Sequence, residues 1–324
     1  MPVSLVSVAN SYRLDPKTFE KQYKDHLSIF RNWNQLKHAD KWILIEKNIG
    51  AYLSIDEVAL SKGELYTIIT NKANHGKKGS LVAIVEGTKI TNITKVLKRI
   101  GLIERNKVKE VTLDMSPTME GIVRESFSEA YLTTDRFHVQ QLVSEAIQEV
   151  RMSYRRKAIK EENRLIEKAK KNGTKYVPKE HSNGDTKKQL LARSRHLVFK
   201  PKSEWSKSQK IRSEILFEEY PRIKQAYNLS MLFRNCYELS TTKKEAKQRF
   251  NKWYDKVKES GIKEFNICVS TVKAYEETIL NYFINRSTNA GAESFNAKIK
   301  GFRSIVRGVR DKKFFLFRIF KIYG

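Results

Sequence analysis

The chain has 324 residues, with 63 lysines and arginines against 36 aspartates and glutamates, a formal net charge of +27. That length can bury a substantial core in one large domain or two ordinary ones, and an apolar share of 40% excludes a disordered polycation. Such a charge points to a polyanionic partner, nucleic acid first; a membrane surface fits less well, because no apolar run approaches the roughly 18 residues of a spanning helix.

The two cysteines, Cys236 and Cys268, are far apart and form no CxxC pair. Reduced, buried thiols are expected, and a structural zinc site is not. The opening MPVSLVSVANSYRLDPK has no basic head followed by an apolar stretch, so it does not read as a secretory signal. An intracellular protein is expected.

Residues 1–45 read as an N-terminal helical segment. In LDPKTFEKQYKDHLSIFRNW, Asp15 is placed to cap a helix with Pro16 at its first position, and Phe19, Tyr23, Leu27 and Phe30 recur at helical spacing.

Residues 46–140 change character. AYLSIDEVAL, ELYTIIT and GSLVAIVEG are β-rich runs separated by Gly, Lys and Asn, and read as three strands with hairpin-like turns. TNITKVLKRIG follows as a helix with a Thr/Asn start and a Gly stop. VKEVTLDM is a fourth strand, and SPTMEGIVRESF a helix with Ser116 as cap and Pro117 at its first position. AYLTTDRFHV holds a fifth, short strand. The order βββαβαβ predicts an antiparallel meander of three strands. The last two strands, each reached through a helix, lie parallel to the first on its other side. This is a mixed five-stranded sheet of the ribonuclease H-like α/β class. It places Asp56 and Asp114 side by side at the carboxyl ends of adjacent strands, where open α/β sheets gather their ligand chemistry.

Residues 141–285 read as a large all-helical insertion. It begins with a long amphipathic stretch stopped near Gly173, passes a polar loop TKYVPKEHSNGDTKK, and continues through helices interrupted near Pro221. Residues 286–324 complete the core with a C-terminal helix. There Phe295, Ile299, Phe302 and Val306 form an apolar stripe, and Glu293, Asn296, Lys300, Arg303 and Arg307 recur on roughly the opposite side. Lys298 and Arg310 add to the basic set. A carboxylate heading a phosphate-binding stripe suits a metal site beside a nucleic-acid backbone. Gly301 weakens such a helix by about 1 kcal/mol, so a bend is expected there. The aromatic residues at the end, Phe314, Phe315, Phe317, Phe320 and Tyr323, read as core.

Each acid also has a plainer role. Asp56 in LSIDEVAL can cap a turn, Asp114 can act as a capping acid before the Ser116–Pro117 helix start, and Glu293 can complement a helix dipole. Together they supply three hard oxygen ligands of the kind that favours Mg²⁺ or Mn²⁺. His138, near an apolar segment, reads first as a hydrogen-bonded core histidine.

The stretches LSIDEVALSKGELYTIITNK, VKEVTLDMSPTMEGIV, TTDRFHVQQLVSEAIQEVR and RSTNAGAESFNAKIKGFRSIVRGVRDKKFFLFRI resemble the DDE transposases of ISL-three-type bacterial insertion sequences, over roughly residues 50–324. The resemblance implies a metal-dependent enzyme that cleaves DNA and transfers strands, with Asp56, Asp114 and Glu293 as catalytic and metal-binding acids holding two Mg²⁺ or Mn²⁺ ions. It implies supporting roles for Asp135 and His138, a motif seen in several related groups, and for Asn296. Lys298, Lys300, Arg303, Arg307 and Arg310 are the expected DNA contacts. The implied partners are double-stranded transposon ends and target DNA, a second copy of the chain, and no membrane. Family members usually carry an N-terminal zinc-finger or helix-turn-helix region. This chain has little sequence before Asp56, so recognition is expected on a separate, upstream-encoded chain unless the copy is truncated. The alternatives are a catalytically inactive DNA-binding derivative and a structure-directed nuclease of the same fold.

Overall fold

A computed structural model describes residues 3–61, 63–306 and 308–324. The chain forms two compact units. The first combines Met1–Asp135 with Asn285–Gly324, and the second is Arg136–Ile284.

The first unit is an α/β unit built on a mixed sheet. It opens with α1 (Leu5–Ser11) and α2 (Pro16–Gln22), where Asp15 accepts a hydrogen bond from the Thr18 N–H at 2.8 Å as the expected cap. The helical stripe does not persist. Over Tyr23–Leu27 the chain widens into a π turn, closed by Ser28 N–H donating to the Tyr23 carbonyl. The extra residue per turn rotates the face, so Leu27 is exposed while Phe30 enters the core.

The strands are β1 (Trp42–Leu44), β2 (Tyr52–Ser61), β3 (Glu64–Asn71), β4 (Leu81–Glu86), β5 (Glu110–Leu113) and β6 (Tyr131–Thr134). They run in the order β1-β4-β3-β2-β5-β6, six strands rather than the five expected. The additional strand, β1, lies in the segment read as helical. Its three residues pair antiparallel with β4, Ile43 opposite Ile84, and are too few to show an alternating pattern. The meander β2–β3–β4 is antiparallel, with Ile55 opposite Ile69 and Ile68 opposite Ile84. Strand β5 joins the other side of β2 in parallel, Ser54 opposite Thr112, and β6 follows in parallel, Leu113 opposite Thr134.

The crossovers are α3 (Ile90–Leu97) with α4 (Leu102–Arg105), and α5 (Pro117–Ser126). Helix α3 starts ahead of the expected Thr/Asn signal, with Lys89 at its N-cap and no side-chain cap; Gly101 opens α4 instead of closing α3. Ser116 caps α5 as expected, its Oγ accepting from the Met119 N–H. These helices cover one sheet face through Leu53, Ile55, Val111, Leu113, Ile93 and Ile122. The other face, with Val58, Leu60, Tyr66 and Ile68, is covered by the N-terminal segment and by α13 (Ala290–Ile305) and α14 (Lys312–Tyr323) of the same unit. The C-terminal aromatics are core: Phe30 meets Phe314 and Phe317 edge to face, and Phe302 stacks on Phe315 at 5.3 Å. Each such fully buried side chain contributes about 1.5–3 kcal/mol.

The second unit is helical. It runs through α6 (Arg136–Lys171), α7 (Lys187–Arg193), α8 (Lys207–Glu219), α9 (Pro221–Glu238), α10 (Lys243–Ser260), α11 (Glu264–Ala274) and α12 (Glu276–Asn285), the last residue of which is counted with the first unit. Helix α6 stops before Gly173, whose φ of +68° suits glycine, and Pro221 separates α8 from α9. Thr186 and Gln189 close a reciprocal capping box on α7. Phe233, Phe250 and Trp253 form the aromatic centre. Both cysteines are free and buried, and burial pushes each thiol up to about 12. Among the described residues no helix is long and apolar enough to cross a membrane.

Candidate active site

Three aspartates stand in a row on neighbouring strands: Asp56 in the middle of β2 rather than at its expected carboxyl end, and Asp114 and Asp135 immediately past the carboxyl ends of β5 and β6, which run parallel to it. The register sets the row: Asp56 lies two residues past Ser54 and Asp114 two past its partner Thr112, while Asp114 and Asp135 each follow one residue after the Leu113–Thr134 pair. Side chains alternate along a strand. Glu110, Thr112 and Asp114 therefore share the face that carries Ser54 and Asp56, and Val111 and Leu113 fill the opposite core.

The carboxylates of Asp114 and Asp135 approach within 4.8 Å of one another. Asp135 is only 1% exposed; one oxygen accepts the Asn289 N–H at 3.0 Å, and the other, Oδ2, is buried without a hydrogen-bond donor. Two carboxylates this close, one with an orphaned buried oxygen, call for a cation. The donor set is hard oxygen, which suits Mg²⁺ or Mn²⁺. His138 follows Asp135 by three residues, in the opening turn of α6, which belongs to the second unit.

Asp56 is half-buried and held from two sides. Its Oδ1 accepts the Glu57 N–H at 2.7 Å, and its Oδ2 accepts the Asn296 amide at 2.6 Å. Burial and the neighbouring Asp56 charge push the Glu57 carboxyl above its ordinary value. Among the described residues, neither Asp56 nor Glu293 joins Asp114 in a group of three ligands with donor atoms within 4.8 Å. Glu293 sits in the first turn of α13, half-buried.

Helix α13 runs through Gly301 without interruption and ends at Ile305. Phe295, Ile299 and Phe302 are buried as the stripe predicted, and Val306 packs partly against them just past the helix end. Asn296 does not lie on the solvent side with the basic residues: it is 5% exposed and turned to Asp56. Lys298, Lys300, Arg303 and Arg310 are exposed. Lys298 donates to the Gly76 carbonyl at 2.9 Å and Arg303 to the Ala59 carbonyl at 3.4 Å, so both brace the helix while reaching solvent. Arg307 lies outside the described residues.

Asn289, Glu110 and Lys72 are missing from the sequence reading. Asn289 precedes α13 and leaves it uncapped by its side chain; the amide instead reaches the Ile55 carbonyl and Asp114 Oδ1, each at 3.4 Å. The signal was an asparagine at a helix start, which ordinary capping explains equally well. Glu110 is wholly buried at the foot of β5, with Lys72 Nζ at 3.5 Å. Burial raises the Glu110 carboxyl, but hydrogen bonds from Ser287 and Asn285 and the Lys72 ammonium outweigh it and hold the group below its ordinary value.

A mixed sheet with acidic residues gathered where its parallel strands β5 and β6 end beside β2 defines a class: an α/β unit with a candidate divalent-cation site. The family model DDE_Tnp_ISL3, described as "Transposase", matches residues 53–319, and the chain belongs to this family of DDE transposases. It is also 22% identical over 299 residues, 89% of its own length, to the transposase for insertion sequence element IS1001 of Bordetella parapertussis. The chain spans 66% of that relative's length.

Proposed function

We propose that this chain is the catalytic part of an insertion-sequence transposase, carrying out metal-dependent DNA cleavage and strand transfer on a ribonuclease H-like sheet. The row Asp56–Asp114–Asp135, with the orphaned Asp135 oxygen, is the observation that carries this reading. Asp56, Asp114 and Glu293 would hold one divalent ion and Asp114 with Asp135 a second, with His138 in a supporting role. Bound Mg²⁺ or Mn²⁺ supplies Lewis-acid stabilisation of the phosphate and acidifies a water.

The chain's own residues do the rest. Asn296 orients Asp56 through its 2.6 Å amide contact, and Asn289 orients Asp135. The exposed Lys300, Arg303 and Arg310, with Lys298, would neutralise the backbone of double-stranded DNA, a contact blind to sequence and weakened by salt. A separate chain would read the transposon ends, and two copies of this chain would act together. The test is strand transfer in vitro: purified protein with Mg²⁺ and a DNA end taken from the inverted repeats flanking its gene. Joined products support transposition. Nicking without joining would leave a nuclease of the same fold.

One observation favours a second reading. A net charge of +27 by itself also suits a derivative retained for DNA binding alone. DNA binding with no metal-dependent cleavage would establish it.

A further inference from the structure

Glu110 collects donors from four separate parts of the first unit. At Oε2 it accepts the Tyr131 hydroxyl from β6 and the Asn285 amide from the segment that returns to this unit, each at 3.0 Å. The Ser287 hydroxyl, two residues further along that segment, also bonds this carboxylate. At Oε1 it accepts the Thr112 hydroxyl from its own strand at 3.1 Å and faces Lys72 from the turn after β3. Lys72 in turn donates to the Thr112 hydroxyl.

A buried ion pair is a poor way to gain stability, since desolvation roughly cancels the attraction. What this one does is join chain segments that are otherwise independent. Asn285 and Ser287 lie immediately before Asn289, whose N–H meets Asp135 and whose amide meets Asp114. Glu293 follows within one turn of α13. Fixing residues 285 and 287 on the sheet therefore fixes where Asn289 and the start of α13 arrive.

We propose that Glu110, with Lys72 as its counter-ion, is the positioning residue that seats the returning segment 285–289 against the carboxylate row. The importance of this for catalysis rests on the row being the active site. The seating itself does not, and it is tested without metal or DNA.

Two variants of the full chain make the test. Glu110→Gln turns one acceptor oxygen into a donor facing other donors. Asn285→Ala removes the link from an exposed position and leaves no buried charge unpaired, so it folds even if the first variant does not. The measurement is hydrogen exchange of the Asn289 amide, with the Ile68 and Ile84 amides inside the β3–β4 ladder as references. Exchange at Asn289 is expected to rise about tenfold in each folded variant, with both references unchanged. Unchanged exchange at Asn289, or an equal rise at Ile68 and Ile84, would overturn the proposal. Neither result depends on whether the aspartates bind a cation, so a failure of the active-site reading would be seen separately.

Discussion

The backbone N–H of Asn289 donates to the carboxylate of Asp135 at 3.0 Å, across 154 residues of sequence. This bond ties the start of α13 to the end of β6, and so brings the helix that carries Glu293 and Asn296 to the edge where Asp56 and Asp114 emerge. The second Asp135 oxygen is left buried and unpaired.

That orphaned oxygen makes a direct prediction about stability. Asp135→Asn places an amide where the carboxylate meets Asp114 and removes like-charge repulsion. The metal-free protein is expected to melt at the same temperature or slightly higher, and to lose part of the stabilisation that millimolar Mn²⁺ is expected to give the unchanged chain. Thermal melting with and without Mn²⁺ checks both halves.

Asn296→Asp sets a second carboxylate 2.6 Å from Asp56. Two such groups cannot both ionise at no cost, so the folded pair titrates above the ordinary carboxylate range. The penalty, about 1–3 kcal/mol, is therefore present at neutral pH and fades as pH falls through the raised value. Urea unfolding at pH 7 and pH 5 is expected to show the variant destabilised at the first and closer to the unchanged chain at the second.

Asp185 in the second unit behaves in the opposite sense. It is wholly buried; burial raises its carboxyl, but Arg212 at 2.7 Å, Arg193 and Asn183 at 2.9 Å hold it below its ordinary value of 3.8. The unfolded chain then binds the proton more readily, so the contribution is complete above that ordinary value and is lost as pH falls through the depressed one. Asp185→Asn should cost about 3 kcal/mol near neutrality, the lower end for a broken buried pair because Arg193 reaches solvent. It should also flatten the acid limb of the unfolding curve, followed by tryptophan fluorescence.

Much of this was legible in the sequence, and the reasons differ by element. The meander and its parallel partners could be read because β-branched runs bounded by Gly and Asn have few topologies open to them, and the Asp56–Asp114 adjacency followed from strand order alone. Strand β1 could not be read, since Trp42–Leu44 is held by β4 and not by its own pattern. The π turn at Tyr23–Leu27 escaped because one extra residue per turn leaves no mark on composition. The faces of α13 were legible for Phe295, Ile299 and Phe302. Asn296 was misplaced because its side chain is buried for a polar reason, the Asp56 contact, which periodicity does not register. Glu110 and Lys72 were missed for the same reason: a buried ion pair joins residues 38 apart, and only the folded sheet brings them together.

Nicking of supercoiled DNA tests the central assignment most directly, comparing the unchanged chain with Asp56→Asn, Asp114→Asn, Asp135→Asn and Glu293→Gln in Mg²⁺ and in a chelator. The expected result is Mg²⁺-dependent nicking that Asp114→Asn lowers by at least about a hundredfold while DNA binding persists, with Asp56→Asn and Glu293→Gln matching it. Asp135→Asn is expected to fall less far. Undiminished nicking by Asp114→Asn, or nicking that the chelator leaves intact, would contradict a metal-dependent site at this sheet edge.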